Sequence, residues 1–162
     1  MRSESPVERL SQKYGRTRAQ TQAMMAQLAR TAAGDGLDFR LETARSGNTF
    51  DAHRVLKLAA ERGKQSATKT RLMRGYMQEG AAIGEPETLV KLGAEAGLDA
   101  EEVRAVLASD RYADEVRVDE REAREIGIQG VPFFVFGQKY AVSGAQPVEV
   151  LLGALERAWA EA

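Results

Sequence analysis

Gly127-Ile128-Gln129-Gly130-Val131-Pro132-Phe133-Phe134-Val135-Phe136 is the stretch where the character of the chain changes. From Val131 to Phe136 it is a β-branched and aromatic run that reads as a strand. Gly137-Gln138 is turn material, and Tyr140-Ala141-Val142-Ser143 reads as a returning strand. Pro147 then opens a terminal helix with Val148, Leu151, Leu152, Leu155 and Trp159 at core spacing. Phe133 to Phe136 is almost continuously apolar, the pattern of a strand buried on both faces. A lone two-stranded hairpin is marginal in water and needs more strands or a helix to lie on. The 127–162 segment therefore reads as the closing ββα portion of an α/β domain.

Everything upstream reads as helix. Ser5-Pro6-Val7-Glu8 is a capping box with Pro at the first helical position, which predicts a helix from Pro6 to about Tyr14. Thr17-Arg18-Ala19-Gln20 caps a second, with Ala23, Met24, Leu28 and Ala32 inward and Gly34 as its stop. Leu37-Asp38-Phe39-Arg40-Leu41 alternates as a short extended segment. Asn48-Thr49 caps a third helix with Phe50, Ala52, Val55, Leu56 and Ala59 inward, and a fourth places Leu72, Met73, Tyr76 and Met77 on one side. Pro86 opens a fifth, carrying Leu89, Val90, Leu92 and Ala96; Asp99-Ala100-Glu101-Glu102 is a capping box for a sixth, with Val103, Val106 and Leu107 inward. A seventh spans roughly Tyr112 to Ile126, and its charged residues read as a solvated face. The expectation is a mainly α chain of about seven or eight helices with one antiparallel hairpin near 133–136 and 140–143.

Composition narrows the chemistry. The chain has 162 residues, 43% of them hydrophobic and 29% charged, which suits one globular domain. Lys plus Arg number 23 and Asp plus Glu 24, so the net charge is −1 and the basic footprint of a nucleic-acid binder is absent. No apolar run approaches the ~18 residues of a membrane span, and the polar start does not resemble a signal peptide, so no membrane partner and a cytoplasmic location are expected. With no Cys there is no disulfide, no thiolate nucleophile and no Cys-bound metal in this chain. The single histidine, His53, excludes any site of two imidazoles. The acidic residues are spread along helices, so neither a metal site nor a cofactor is expected.

Gly130-Val131-Pro132 between a helix and a strand, followed by a hairpin and a terminal helix, resembles the C-terminal half of a thioredoxin fold. The longer string Gly127 to Phe136, with Ala141-Val142-Ser143-Gly144-Ala145-Gln146-Pro147, is similar to the FrnE-type branch of the DsbA-like thiol–disulfide oxidoreductases. Asn48-Thr49-Phe50-Asp51-Ala52-His53-Arg54, Tyr76-Met77-Gln78-Glu79-Gly80 and Ile83-Gly84 match that branch too, in the same order. The resemblance covers nearly the whole chain, from about Tyr14 to Trp159. It implies a helical insertion domain, 1–126, joined to the C-terminal ββα portion of a thioredoxin-like domain, 127–162. It also implies that the N-terminal unit bearing Cys-x-x-Cys, on the order of 50 residues, lies upstream of what is present. The expectation is a truncated, redox-inactive form.

On that resemblance no catalytic residue lies in this chain, and Gly130, Val131 and Pro132 form the substrate-binding loop. Pro132 is expected after a cis bond, with the backbone N–H and C=O of Val131 turned outward to pair with an extended substrate as an added strand. His53, Asn48 and Thr49 are accessory candidates. The plainer reading makes His53 a helix histidine that fixes a neighbouring loop, and Asn48 and Thr49 helix caps. Phe133, Phe134 and Phe136 read as strand core before peptide groove, and Met24, Met25, Met73 and Met77 as core before adaptable surface. The expected partners are a thiol- or disulfide-containing protein, or a small thiol, and a second copy in a homodimer. Two other functions fit the same residues: a glutathione-dependent isomerase of the 2-hydroxychromene-2-carboxylate or kappa-transferase kind, and a non-catalytic dimerising module.

Overall fold

A computed structural model describes residues 5–162. Among them are eight α-helices and one two-stranded antiparallel sheet, so the chain is mainly α with a single hairpin. It divides into two compact units, one ending at Val116 and the other Arg117–Ala162.

The first unit opens with α1 (Pro6–Tyr14) and α2 (Arg18–Gly34), and both predicted capping boxes form: Ser5 with Glu8, and Thr17 with Gln20. The buried row of α2 is Thr21, Met25 and Ala32, whereas Ala23 and Leu28, expected inward, are exposed. The reason is the packing of α1, whose Ser11 hydroxyl donates to Thr21 Oγ1 at 2.9 Å and turns that row inward. Leu37–Leu41 is not a strand. The N–H of Arg40 donates to the carbonyl of Met77 at 2.8 Å, and a 3-10 turn follows at Leu41–Thr43. Its backbone is bound to a helix end and has no neighbouring strand.

Four helices build the core: α3 (Phe50–Glu61), α4 (Gln65–Gln78), α5 (Pro86–Glu95) and α6 (Ala100–Leu107). Each packs on the next and α6 closes back on α3. Ala52, Val55, Leu58, Leu72, Leu89, Val90, Leu92, Val103 and Val106 meet between them. On α4 the inward row is Thr68, Leu72 and Gly75, and Met73 faces solvent at 50% exposure, contrary to the core reading. Gly75 lets α5 approach: a Cβ there would stand 3.0 Å from Leu92 Cδ1.

Arg54 lies on the buried stripe of α3 and is only 5% exposed. Its Nε donates to the Arg111 carbonyl at 2.9 Å, Nη2 to the Val106 carbonyl at 2.5 Å and also to that of Ser109, and Nη1 pairs with Asp51 at 2.9 Å. A helix leaves its last carbonyls unsatisfied and carries partial negative charge there, so a buried guanidinium answers both needs at the end of α6. At the other end of α6, Asp99 accepts from the Glu102 N–H as predicted. The reciprocal half of that capping box does not form: the Glu102 carboxylate is taken by Arg62, which holds its pKa below the ordinary value.

The second unit contains most of α7 (Ala113–Glu125), then β1 (Phe133–Phe136), β2 (Tyr140–Ser143) and α8 (Val148–Ala160). The hairpin register pairs Phe133 with Ser143 and Phe136 with Tyr140, and α8 packs on both strands. The Tyr140 hydroxyl donates to Glu161 at 2.5 Å and Lys139 joins it at 3.1 Å, lowering the Glu161 pKa and tying the helix end to the turn. Only Ala158 of α8 is buried; Val148, Leu152, Leu155 and Trp159, expected in the core, are exposed. Phe134 and Val135 are exposed as well, so β1 is not covered on both faces. Two short strands cover one stripe of a helix, and α8 is apolar on more than one.

Arg54→Met keeps the aliphatic bulk but removes the side-chain donor of the Arg111 and Ser109 carbonyls and leaves Asp51 without its partner, and is expected to cost about 3 kcal/mol in urea unfolding. Thr68 is fully buried and its hydroxyl finds no partner among the described residues. Thr68→Val replaces that hydroxyl by a methyl of similar size and is expected to raise stability by about 1 kcal/mol in the same assay.

Candidate substrate-binding site

The loop Gly130-Val131-Pro132 is exposed at the head of β1, with Val131 at 89%. The Val131–Pro132 peptide bond is cis. One step beyond the ladder, the Gly144 N–H donates to the Pro132 carbonyl at 2.8 Å. In an antiparallel pair alternate residues turn their backbone groups toward the partner strand. Pro132, Phe134 and Phe136 face β2, which leaves the N–H and C=O groups of Phe133 and Val135 on the outer edge. Among the described residues no third strand meets that edge, and the backbone groups of Val131 have no protein partner. The Phe134 and Phe136 rings stack on one face, 6.4 Å apart and nearly parallel. What this site offers chemically is a row of backbone donors and acceptors beside an apolar face.

The accessory candidates belong to the first unit. Asn48 and Thr49 precede α3 and are exposed. Asn48 Oδ1 accepts from the Phe50 N–H at 2.9 Å, while the Thr49 side chain makes no capping bond. Only Asn48 of the two fits the capping expectation. His53 is exposed, and among the described residues its imidazole makes no hydrogen bond, so it does not fix a loop. The loop anchor is its neighbour Arg54. An arginine in line with Ala52, Val55 and Leu58 was the available sign, because a cation on a buried stripe needs acceptors.

Tight backbone contact holds Asn48 in place. A Cβ on Gly84 would stand 3.0 Å from Gly47 Cα, 3.1 Å from the Asn48 carbonyl oxygen and 3.2 Å from its nitrogen. Arg45 and Glu85 pair at 3.0 Å beside this crossing. The family-like strings around Asn48 and Ile83-Gly84, 36 residues apart when counted from Asn48 to Gly84, thus meet in space. Among the described residues no group of three or more His, Asp or Glu could hold a metal ion, and no helix is long and apolar enough to cross a membrane.

Comparison with known proteins agrees with this architecture. The model of the DSBA-like thioredoxin domain family matches residues 2–156, and the chain belongs to that family. Among solved structures, a probable DsbA oxidoreductase from Streptomyces coelicolor is 48% identical, with a TM-score of 0.90 over 98% of this chain and 69% of that one. No curated protein matches.

Gly84→Ala is expected to force the Gly47–Asn48 backbone to move and to cost about 1–3 kcal/mol. Amide shift changes should centre on residues 47–50 while the α5–α6 core signals stay in place; an unchanged Asn48 amide would contradict the close contact.

Proposed function

We propose that this chain is the substrate-cradling portion of a FrnE-type thiol–disulfide oxidoreductase and is redox-inactive by itself. The observation that carries the proposal is the open edge of β1, headed by the unpartnered backbone groups of Val131. An extended polypeptide bearing a thiol or disulfide would add to that edge as a strand, with Gly130, Val131 and Pro132 aligning it by main-chain hydrogen bonds. Redox chemistry in such a system comes from a thiolate that attacks the substrate disulfide. A chain without cysteine holds the substrate and supplies no nucleophile. Asn48, Thr49 and His53 form an accessory surface in this proposal.

We also propose a homodimer. Val148, Leu152, Leu155 and Trp159 are exposed on α8, and Trp159 is 82% exposed. Together with the exposed Phe134 and Val135 of β1 they present apolar side chains to water, and an uncovered strand edge invites pairing. A second copy would cover it with a symmetric interface.

The decisive experiment titrates an unfolded, cysteine-containing peptide into the labelled chain and follows backbone amides. The largest shifts are expected at Val131, Phe133 and Val135, and Val131→Gly should retain them because its N–H is kept. Shifts elsewhere would refute the cradle. Insulin reduction by dithiothreitol should run no faster with the chain than without it. Phe134→Asp should lower both dimer mass in size exclusion and solubility; a monomeric parent chain would remove the dimer.

A further inference from the structure

The most exposed methionine on the four-helix core is not isolated. Met73 and Met77 on α4, with Leu37 and Phe39 of the preceding loop, floor a groove of about 620 Å³. On α4 the lining residues Ser66, Thr70, Met73 and Met77 recur at spacings of four, three and four, so they share one helix face. The opposite wall is held at both ends. The Leu37 N–H donates to the Ala32 carbonyl at 2.9 Å, and the Arg40 N–H to Met77 at 2.8 Å. The groove is therefore preformed, which lowers the ordering cost of anything that binds there.

Its charges are unbalanced. Two acidic residues near the groove are already engaged: Asp38 by Arg40 at 2.7 Å, and Glu79 by Arg71 at 2.8 Å and Arg74 at 3.2 Å. Lys69 lines the groove beside Ser66 and Thr70 and has no ion-pair partner among the described residues. A cation without a counterion, next to two hydroxyls and above an apolar floor, favours a ligand that is apolar along one side and anionic at its edge. The methionine floor adapts to varied apolar side chains.

The shape selects among such ligands. From Ser66 to Met77 the helix rises roughly 16 Å, which matches about five residues of extended chain. Lys69, Thr70, Met73 and Arg74 of its lining are exposed to solvent, which suits a chain that lays one side down more than a compact molecule that must be enclosed. We infer that the groove between α4 and the Leu37–Phe39 loop docks an extended acidic-apolar segment of a partner polypeptide, with Lys69 pairing to its carboxylate. This docking involves no thiol and is independent of the β1 edge.

The test is fluorescence anisotropy on the full chain with a labelled twelve-residue peptide of alternating Glu and Leu or Phe, and its twin carrying Lys for Glu. The acidic peptide is expected to bind about fivefold more tightly than its twin in low salt, an advantage that shrinks as salt rises. Lys69→Glu should reverse the preference and Lys69→Gln should abolish it. Met73→Gln should weaken both peptides by a similar factor. Lys69 and Met73 are exposed, so circular dichroism of the variants should match the parent. Equal binding of the two peptides, an unchanged preference in Lys69→Glu, or binding of dodecanoate with no binding of either peptide would each overturn the inference. None of these outcomes bears on the amide shifts at Val131, so the two proposals fail separately.

Discussion

The guanidinium of Arg54 is the constraint on which the larger unit depends. It sits on the stripe of α3 that also carries Val55 and Leu58, so wherever α3 packs the charge is buried with it. Burial of a cation is tolerable only with its donors satisfied. The end of α6 and the loop to Arg111 supply the carbonyls, and those of Ser109 and Arg111 would otherwise lack a donor beneath the helix end. One side chain thereby sets where α6 stops, where the following loop lies, and how α3 and α6 close the four-helix ring. Asp51 completes the arrangement from within α3.

Around that clamp the remaining polar contacts act at element ends. Arg62 draws Glu102 away from its capping role and joins the C-terminal end of α3 to the first turn of α6. Gly47 and Gly84 let two loops cross at backbone distance, and this crossing sets the position of Asn48. The first unit is built by side chains that satisfy backbone groups, and its apolar core fills the space they define.

The second unit follows a different rule. Its strands and helix cover one stripe of each other and leave apolar residues of α8 and β1 in solvent. Among the described residues, its unpaired main-chain groups lie along one strand edge.

Much of this was legible locally. Capping boxes at Ser5 and Thr17, glycine stops, the Pro86 and Pro147 starts, and the change of period at Gly127 are short-range signals, written in a few adjacent residues. They determined the order of eight helices and one hairpin, and the motif strings pointed to the family. Which face of each helix turned inward was not decided locally. Thr21 and Met25, not Ala23 and Leu28, became the inner row of α2 because α1 packs there. Met73 faced solvent while Thr68 and Gly75 turned in, because Gly75 gave α5 the closest approach. Leu37–Leu41 had strand-like alternation and no strand to pair with, so its backbone went to Met77. The role of Arg54 was hidden for the same reason: its acceptors lie more than fifty residues away. Spacing along a chain sets which residues share a face; only packing in three dimensions decides which face is covered and which long-range carbonyl meets a buried charge.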